Sequence, residues 1–231
     1  MRRILNLASA EWVDEYGMTW LQSAPRIKLL SDNNKRKPYP LSWGEQQRLF
    51  SSLPNHLFDM ALFAVNTGCR DAEICNLRWE WYVAVPALDS GVFIIPGEFV
   101  KNGDERLVVL NSIAHDVVNK QRGKCTKFVF TYKGEPITRM LNSAWLRARK
   151  ATKLEQVRVH DLKHTFGRRL QAAGVIFEDR QDLLGHRSGR ITTHYSAAEL
   201  SHLLEAANKV CVNQGDEQKS EIVVLRRISA S

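Results

Sequence analysis

The spacing of apolar positions along the chain predicts a mainly helical protein. Apolar residues recur at helical spacing from Ile4 to Trp12, which predicts an amphipathic helix over residues 3–21. Residues 56–66 are apolar on nearly every side, as is typical of a buried helix. Further helices are predicted over residues 71–77, 138–152, 160–173, 177–184 and 197–212.

A small β-sheet is predicted within this helical pattern. Two short β-branched runs, residues 92–96 and 107–110, flank the polar sequence K-N-G-D. Its Asn102-Gly103 pair is a strong tight-turn signal, so the two runs are expected to form a hairpin. Residues 128–130 are a third strand candidate. The expected fold class is therefore α+β, mainly helical, with a small antiparallel sheet.

Length and composition indicate how the chain is organised. With 231 residues, of which 44% are hydrophobic, it can hold one substantial domain with a small appendage. Residues 31–40 are polar and basic and contain two prolines, so they are the best linker candidate. Ser42 and Glu45 follow with the spacing of a capping box, which predicts that a helix starts directly after the linker.

The charge of the chain favours a polyanionic partner. The 33 Lys and Arg residues exceed the 25 Asp and Glu residues, which gives a net charge of +8. No apolar run approaches the roughly 20 residues of a membrane span, and the four cysteines lack a C-x-x-C spacing, so reduced thiols in a cytoplasmic protein are expected. The basic side chains predicted to bind phosphate are Lys35, Arg36, Lys37, Arg139, Arg147, Arg149, Lys150 and Arg168.

The predicted helix that begins at His160 presents several polar side chains together. His160, His164 and Gly167 fall on one face, and Lys163 lies at the edge of that face. An ordinary solvated helix face explains this pattern equally well. Zinc binding is disfavoured, because the spacer lacks the glutamate of H-E-x-x-H and no cysteine or carboxylate cluster stands nearby.

Two further positions carry candidate chemistry. Arg70 follows a predicted turn at Thr67-Gly68, and Glu73 stands where a helical turn would let it orient the arginine. Tyr195 is a candidate nucleophile, although a phenol with a pKa of about 10 needs nearby cations or imidazoles to activate it. Each of these residues alone also fits a purely structural role.

Taken together, these motifs resemble the tyrosine recombinase (phage integrase) family. T-G-C-R-D-A-E-I resembles the block of the first catalytic arginine, which implies that role for Arg70 and a supporting role for Glu73. F-V-K-N-G-D-E-R-L-V-V-L resembles the β-hairpin block and implies that Lys101 is the catalytic lysine.

The remaining blocks follow in the family's order. H-D-L-K-H resembles the block that supplies a histidine and a second arginine; His160 matches, Lys163 occupies the arginine position, and His164 is a supporting residue. L-L-G-H implies a catalytic role for His186, and T-T-H-Y-S implies that Tyr195 is the nucleophile. Lysine is a point charge where arginine offers a planar fork, so an active recombinase and a catalytically impaired DNA-binding relative both stay open.

The resemblance also implies an organisation and a set of partners. Residues 38–212 would form the catalytic domain, residues 1–37 a remnant of a core-binding helix with a basic linker, and residues 213–231 a tail exchanged between protomers. The implied activity is cleavage and rejoining of double-stranded DNA through a 3′-phosphotyrosyl intermediate, without a metal or other cofactor. A homo-tetramer on DNA, a directionality factor and a nucleoid-associated location are implied as well.

Two other enzyme classes compete with this interpretation. A type IB topoisomerase fits less well, because the histidine-rich set is closer to the recombinases. A metal-dependent nuclease would need a carboxylate cluster, whereas the acids near these motifs are scattered among different blocks.

Overall fold

The computed structural model describes residues 1–28, 36–185 and 196–211. The chain divides into two compact units, residues 1–37 and residues 38–231. Within the described stretches, none of the helices has the length and apolar character that a bilayer crossing requires.

Over the described residues 1–28 of the first unit, the chain forms the helix α1 (Arg2–Ala10), which is shorter than predicted. Beyond it, the Asp14 carboxylate accepts hydrogen bonds of 2.9 Å from the backbone N–H groups of Tyr16 and Met18. Such side-chain acceptors stabilise a turn in competition with a helix. The predicted helix over residues 3–21 is therefore wrong beyond Ala10.

The second unit opens with three helices: α2 (Trp43–Ser51), α3 (Asn55–Thr67) and α4 (Asp71–Cys75). The Ser42 hydroxyl accepts a hydrogen bond from the Glu45 N–H, and the Glu45 carboxylate accepts one from the Ser42 N–H at 2.9 Å. The predicted capping box and helix start are thus confirmed. The helix α3 is buried along most of its length, as its apolar sequence indicates.

A three-stranded antiparallel sheet follows, in the order β1 (Tyr82–Val85), β2 (Ser90–Ile95) and β3 (Arg106–Val109). The predicted hairpin is confirmed, because β2 and β3 pair from Val92↔Val109 to Ile95↔Arg106. Its loop spans residues 96–105, and Gly103 adopts a left-handed φ of 78° in the turn there.

The rest of the second unit is mostly helical, as predicted. Its elements are α5 (Ser112–Gln121), β4 (Thr131–Tyr132), β5 (Glu135–Pro136), α6 (Ser143–Ala151), α7 (Val159–Ala172), α8 (Phe177–Leu184) and α9 (Ala197–Asn208). The strand predicted over residues 128–130 is wrong, because Phe128 forms an isolated antiparallel bridge with Arg78 and the chain bends at Val129 and Phe130 instead of continuing a ladder.

The packing of these elements brings α3, α7 and β3 to one place. The helix α3 packs against α7 and α5, while α8 and α9 both pack against β3. Most of the buried apolar side chains form one cluster that includes Phe63, Phe93 and Trp145. A second cluster joins α7, α8 and α9 to β2 and β3. The C-terminal end of α3 therefore lies close to α7 and to the end of α8.

Candidate active site

The turn between α3 and α4 carries Arg70 and depends on Gly68. Gly68 ends α3 with a φ of 63°, and its N–H donates to the Ala64 carbonyl at 2.9 Å. A Cβ at this position would lie 2.8 Å from Cδ1 of Phe166 in α7. Glycine therefore supplies the left-handed conformation and also lets the end of α3 approach α7.

Arg70 is held by Glu73 as the sequence suggested. The Glu73 carboxylate accepts hydrogen bonds of 2.7 Å from the Arg70 backbone N–H and from Nη1 of its guanidinium. Glu73 is buried, whereas the Arg70 side chain keeps 20% of its surface exposed. Only one edge of the guanidinium is thus occupied by the carboxylate, and an exposed part stays accessible to an anion.

Arg106 is a second guanidinium on the same carboxylate, and the sequence analysis missed it. Nη1 of Arg106 donates to Oε2 of Glu73, and its Nη2 donates to the Gly68 carbonyl at 3.1 Å. Its side chain is only 2% exposed. Strand alternation could have found it, because Arg106 and the buried Val108 lie on the same face of β3; the predicted strand began one residue too late.

The two arginines keep Glu73 ionised. Burial raises the pKa of the Glu73 carboxyl, but the charge of Arg106 and the hydrogen bonds and charge of Arg70 outweigh it, so the pKa lies below its ordinary value. A buried carboxylate that is fully ionised can anchor both guanidinium groups through charge-assisted hydrogen bonds.

Lys163 lies deeper than the helix-edge position that was predicted for it. Its side chain is buried, and Nζ donates a hydrogen bond to the Leu184 carbonyl at the end of α8. Burial, followed by the charges of Arg106 and Arg70, lowers the pKa of Lys163 from 10.5 to about 7. Near neutral pH the ammonium group therefore loses and gains its proton readily.

The two histidines of α7 lie beside this cluster. The His160 and His164 rings meet edge to face with their centroids 4.7 Å apart. Partial burial is the largest cause that holds the pKa of each imidazole below its ordinary value; nearby positive charges add to it, and the charge of Asp161 opposes it. Lys163 and Arg70 are among the charges that lower the pKa of His160, so this imidazole is favoured in its neutral form.

The comparison with family models decides what this cluster belongs to. A model of the phage integrase family matches residues 45–202, which include the whole cluster. The chain belongs to the phage integrase family of tyrosine recombinases.

Curated relatives within this family resemble the chain over much of its length. The integrase of Salmonella phage P22 is 31% identical over 223 residues, which are 91% of this chain and 55% of the relative. The tyrosine recombinase XerC of Corynebacterium glutamicum is 29% identical over 151 residues, 62% of this chain and 47% of the relative. The chain thus spans about half the length of these curated relatives.

Solved structures of family members share the fold. The XerH site-specific recombinase in a post-cleavage complex with a palindromic difH substrate superposes with a TM-score of 0.58 at 19% identity, covering 86% of this chain and 60% of that one. The integrase from mycobacterium phage Brujita gives 0.55 at 19% identity, covering 90% and 70%. The expected α+β recombinase fold is therefore confirmed.

The other candidate residues of the chain are spread more widely. Lys101 is exposed in the loop between β2 and β3, outside the buried cluster. Arg149 is half-buried and donates to the Val157 carbonyl, so it also holds the end of α6 in place. The remaining predicted phosphate-binding side chains that the structure describes are exposed, namely Arg36, Lys37, Arg139, Arg147, Lys150 and Arg168.

Several predicted positions lie outside the described residues. They are Lys35, His186, Tyr195 and the tail over residues 213–231. Ser196, next to Tyr195, is described and forms a capping box with Glu199 at the start of α9. Within the described stretches, no three His, Cys, Asp or Glu side chains group closely enough to hold a metal ion.

Proposed function

We propose that the chain is the catalytic part of a site-specific DNA recombinase, which cleaves and rejoins double-stranded DNA through a 3′-phosphotyrosyl intermediate. The observation that carries the proposal is the cationic cluster at the start of α4. Arg70 is fixed by Glu73, with Lys163 and His160 beside it, in a chain of the phage integrase family. Such fixed positive charge suits a phosphate whose negative charge grows in the transition state.

Each step of the reaction has a residue proposed for it. The Tyr195 oxygen attacks the scissile phosphorus, a phosphotyrosyl bond forms on the 3′ side, and the bond to the 5′ oxygen breaks. Lys101 donates the proton that the 5′ oxygen needs, and His160 assists transfer of the phenol proton. Arg70, Lys163 and His186 bind the phosphate oxygens. The phosphodiester energy stays in the covalent bond, so rejoining needs no additional energy source.

Relatives support the proposed partners. The solved XerH structure is bound to a palindromic difH substrate, and a lambda integrase fragment is a dimer bound to a core site. By analogy, we propose double-stranded DNA as substrate, a homo-tetramer on DNA and a directionality factor, with action at the nucleoid. In this proposal residues 38–212 are the catalytic domain, residues 1–37 a linker remnant, and residues 213–231 an exchanged tail.

A catalytically impaired DNA-binding relative is the second candidate. Its support is the state of Lys163, whose Nζ is already bonded to the Leu184 carbonyl and whose pKa is lowered to about 7. A lysine that is half-deprotonated and engaged elsewhere offers less charge to a phosphate than the bidentate fork of an arginine. This candidate keeps DNA affinity but forms no covalent adduct.

The test is a covalent-trapping assay with nicked suicide duplexes drawn from the DNA that flanks the gene. Wild-type protein, Tyr195→Phe and Lys163→Arg would be compared by denaturing gel electrophoresis, with DNA affinity measured in parallel. The proposal predicts an adduct with wild-type protein that Tyr195→Phe does not form.

The other outcomes separate the two candidates. DNA binding with an adduct only in Lys163→Arg would show an impaired relative that arginine restores. DNA binding without an adduct in wild-type protein or in Lys163→Arg would also favour the impaired relative and contradict the recombinase. Absence of DNA binding by all three proteins would refute both candidates.

A further inference from the structure

The buried Arg106 side chain joins three segments of the cluster. Nη1 binds the Glu73 carboxylate, and Nη2 binds the Gly68 carbonyl at 3.1 Å and the Thr67 carbonyl at 3.4 Å. These two carbonyls belong to the turn that leads into Arg70. A single guanidinium therefore fixes both the acid that holds Arg70 and the backbone that presents it.

The same side chain also lies against the end of α8. Gly185 ends that helix in a left-handed conformation with a φ of 57°. A Cβ at Gly185 would lie 2.5 Å from Nε of Arg106 and 2.7 Å from its Cδ. Only a glycine backbone fits this closely, so Arg106 sets how near the end of α8 comes to the Arg70 turn. Leu184, the preceding residue, supplies the carbonyl that Lys163 binds.

The placement of Arg106 close to Lys163 has an electrostatic cost. Its guanidinium is one of the charges that disfavour the ammonium form of Lys163, which is itself buried. Burying like charges close together destabilises a fold, and an apolar side chain on β3 would avoid the repulsion. Such arrangements occur where a site needs fixed positive charge.

We propose that Arg106 is a positioning residue for strand cleavage, which fixes the Glu73 carboxylate and the Arg70 turn against the end of α8. The inference rests on the proposed strand-cleavage function. Both terminal nitrogens of Arg106 are already bonded, Nη1 to the Glu73 carboxylate and Nη2 to the Gly68 and Thr67 carbonyls, so its role is to act through Arg70 and Lys163.

A direct consequence concerns the ionisation of Lys163. Charged or titratable groups from four elements act on Lys163. They are Arg106 of β3, Cys69 and Arg70 of the α3–α4 turn, Glu73 of α4, and His160 and His164 of α7. Removing the charge of Arg106 takes away one repulsion and leaves Glu73 less neutralised. Both changes favour the ammonium form, so the pKa of Lys163 would rise from about 7.

The experiment uses Arg106→Met, which loses the charge, and Arg106→Lys, which keeps it but has no planar fork. The matched control is Arg122→Met, since Arg122 is exposed and stacks on Trp79 and Tyr82 away from the cluster. The pH at the midpoint of the Lys163 titration would be measured by NMR of protein with labelled lysine side chains. The spectrum of Lys163→Arg would identify the Lys163 signal, because that signal is missing from it. Single-turnover adduct formation and DNA affinity would be measured on the same proteins.

The expected results differ among the variants. Arg106→Met raises the Lys163 midpoint and slows adduct formation about 100-fold, with DNA affinity nearly unchanged. Arg106→Lys leaves the midpoint near the wild-type value and slows the reaction about 10-fold. Arg122→Met behaves as wild type.

Two results would overturn the inference. One is an unchanged Lys163 midpoint in folded Arg106→Met, and the other is Arg106→Lys cleaving at the wild-type rate. The second result decides the matter if Arg106→Met does not fold. If the wild-type protein forms no adduct while the Lys163 midpoint still depends on Arg106, the proposed function fails and the coupling between the two residues stands.

Discussion

Replacing Lys163 with methionine should remove a specific pH dependence from the stability of the fold. Unfolded, Lys163 keeps its proton up to a pKa of 10.5, whereas the folded protein releases it above about 7. Between these two values unfolding takes up a proton, so the free energy of unfolding rises with pH by about 1.4 kcal/mol per pH unit. Below pH 7 both states hold the proton and the contribution is constant.

The magnitude follows from the two pKa values. Their difference corresponds to about 5 kcal/mol if the whole interval is titrated, and to about 2 kcal/mol between pH 7 and pH 8.5. This stabilisation is present in full above the unfolded value and is lost as the pH falls to about 7. Lys163→Met has no proton to release, so wild-type stability should gain about 2 kcal/mol relative to this variant across that range.

Urea unfolding followed by tryptophan fluorescence is the assay, because Trp145 is fully buried in the main core and reports its loss. Wild-type protein, Lys163→Met and Lys163→Arg would be unfolded at pH 6, 7, 8 and 8.5. An arginine stays protonated throughout this range, so Lys163→Arg should parallel Lys163→Met. Parallel curves for wild type and Lys163→Met would refute the inference that Lys163 titrates near neutral pH.

Three further results are expected. Glu73→Gln loses the charge that anchors both arginines, so single-turnover adduct formation should fall about 10- to 100-fold with nearly constant DNA affinity, and an unchanged rate would contradict this. Gly68→Ala places a methyl group 2.8 Å from Phe166 at a left-handed φ, so urea unfolding should show a loss of about 2 kcal/mol, and full stability would contradict it. A phosphate group bound beside Lys163 should raise the pKa of Lys163, so the protein should take up as much as about one proton when it binds phosphate at pH 8. Calorimetry in buffers of different ionisation heat should detect this uptake in wild-type protein and not in Lys163→Arg.

Local signals in the sequence predicted much of the fold. The Ser42 and Glu45 capping box, the buried α3 and the hairpin of β2 and β3 all depend on residues close to one another in the chain. The predicted length of the N-terminal helix was wrong for an equally local reason. Apolar spacing continues past Ala10, but the Asp14 carboxylate accepts hydrogen bonds from two backbone N–H groups and stabilises a turn.

Some features of the candidate site could be predicted from neighbouring residues, and others depend on tertiary packing. The pairing of Arg70 with Glu73 spans three positions and could be expected from helical geometry. The bond from Arg106 to Glu73 joins residues 33 positions apart, and the bond from Lys163 to the Leu184 carbonyl depends on how α7 and α8 pack. Strand alternation could have indicated that Arg106 faces inwards, but its partner Glu73 and the burial of Lys163 are set by tertiary packing.

The identity of the nucleophile is the central claim, and it can be measured directly. Protein trapped on a nicked suicide duplex would be digested with protease and nuclease, and tandem mass spectrometry would locate the residue that carries the remaining nucleotide. We predict a single modified peptide with the nucleotide joined to the Tyr195 oxygen through its 3′ phosphate. A nucleotide on any other residue, or DNA that is bound without a covalent link, would contradict the account.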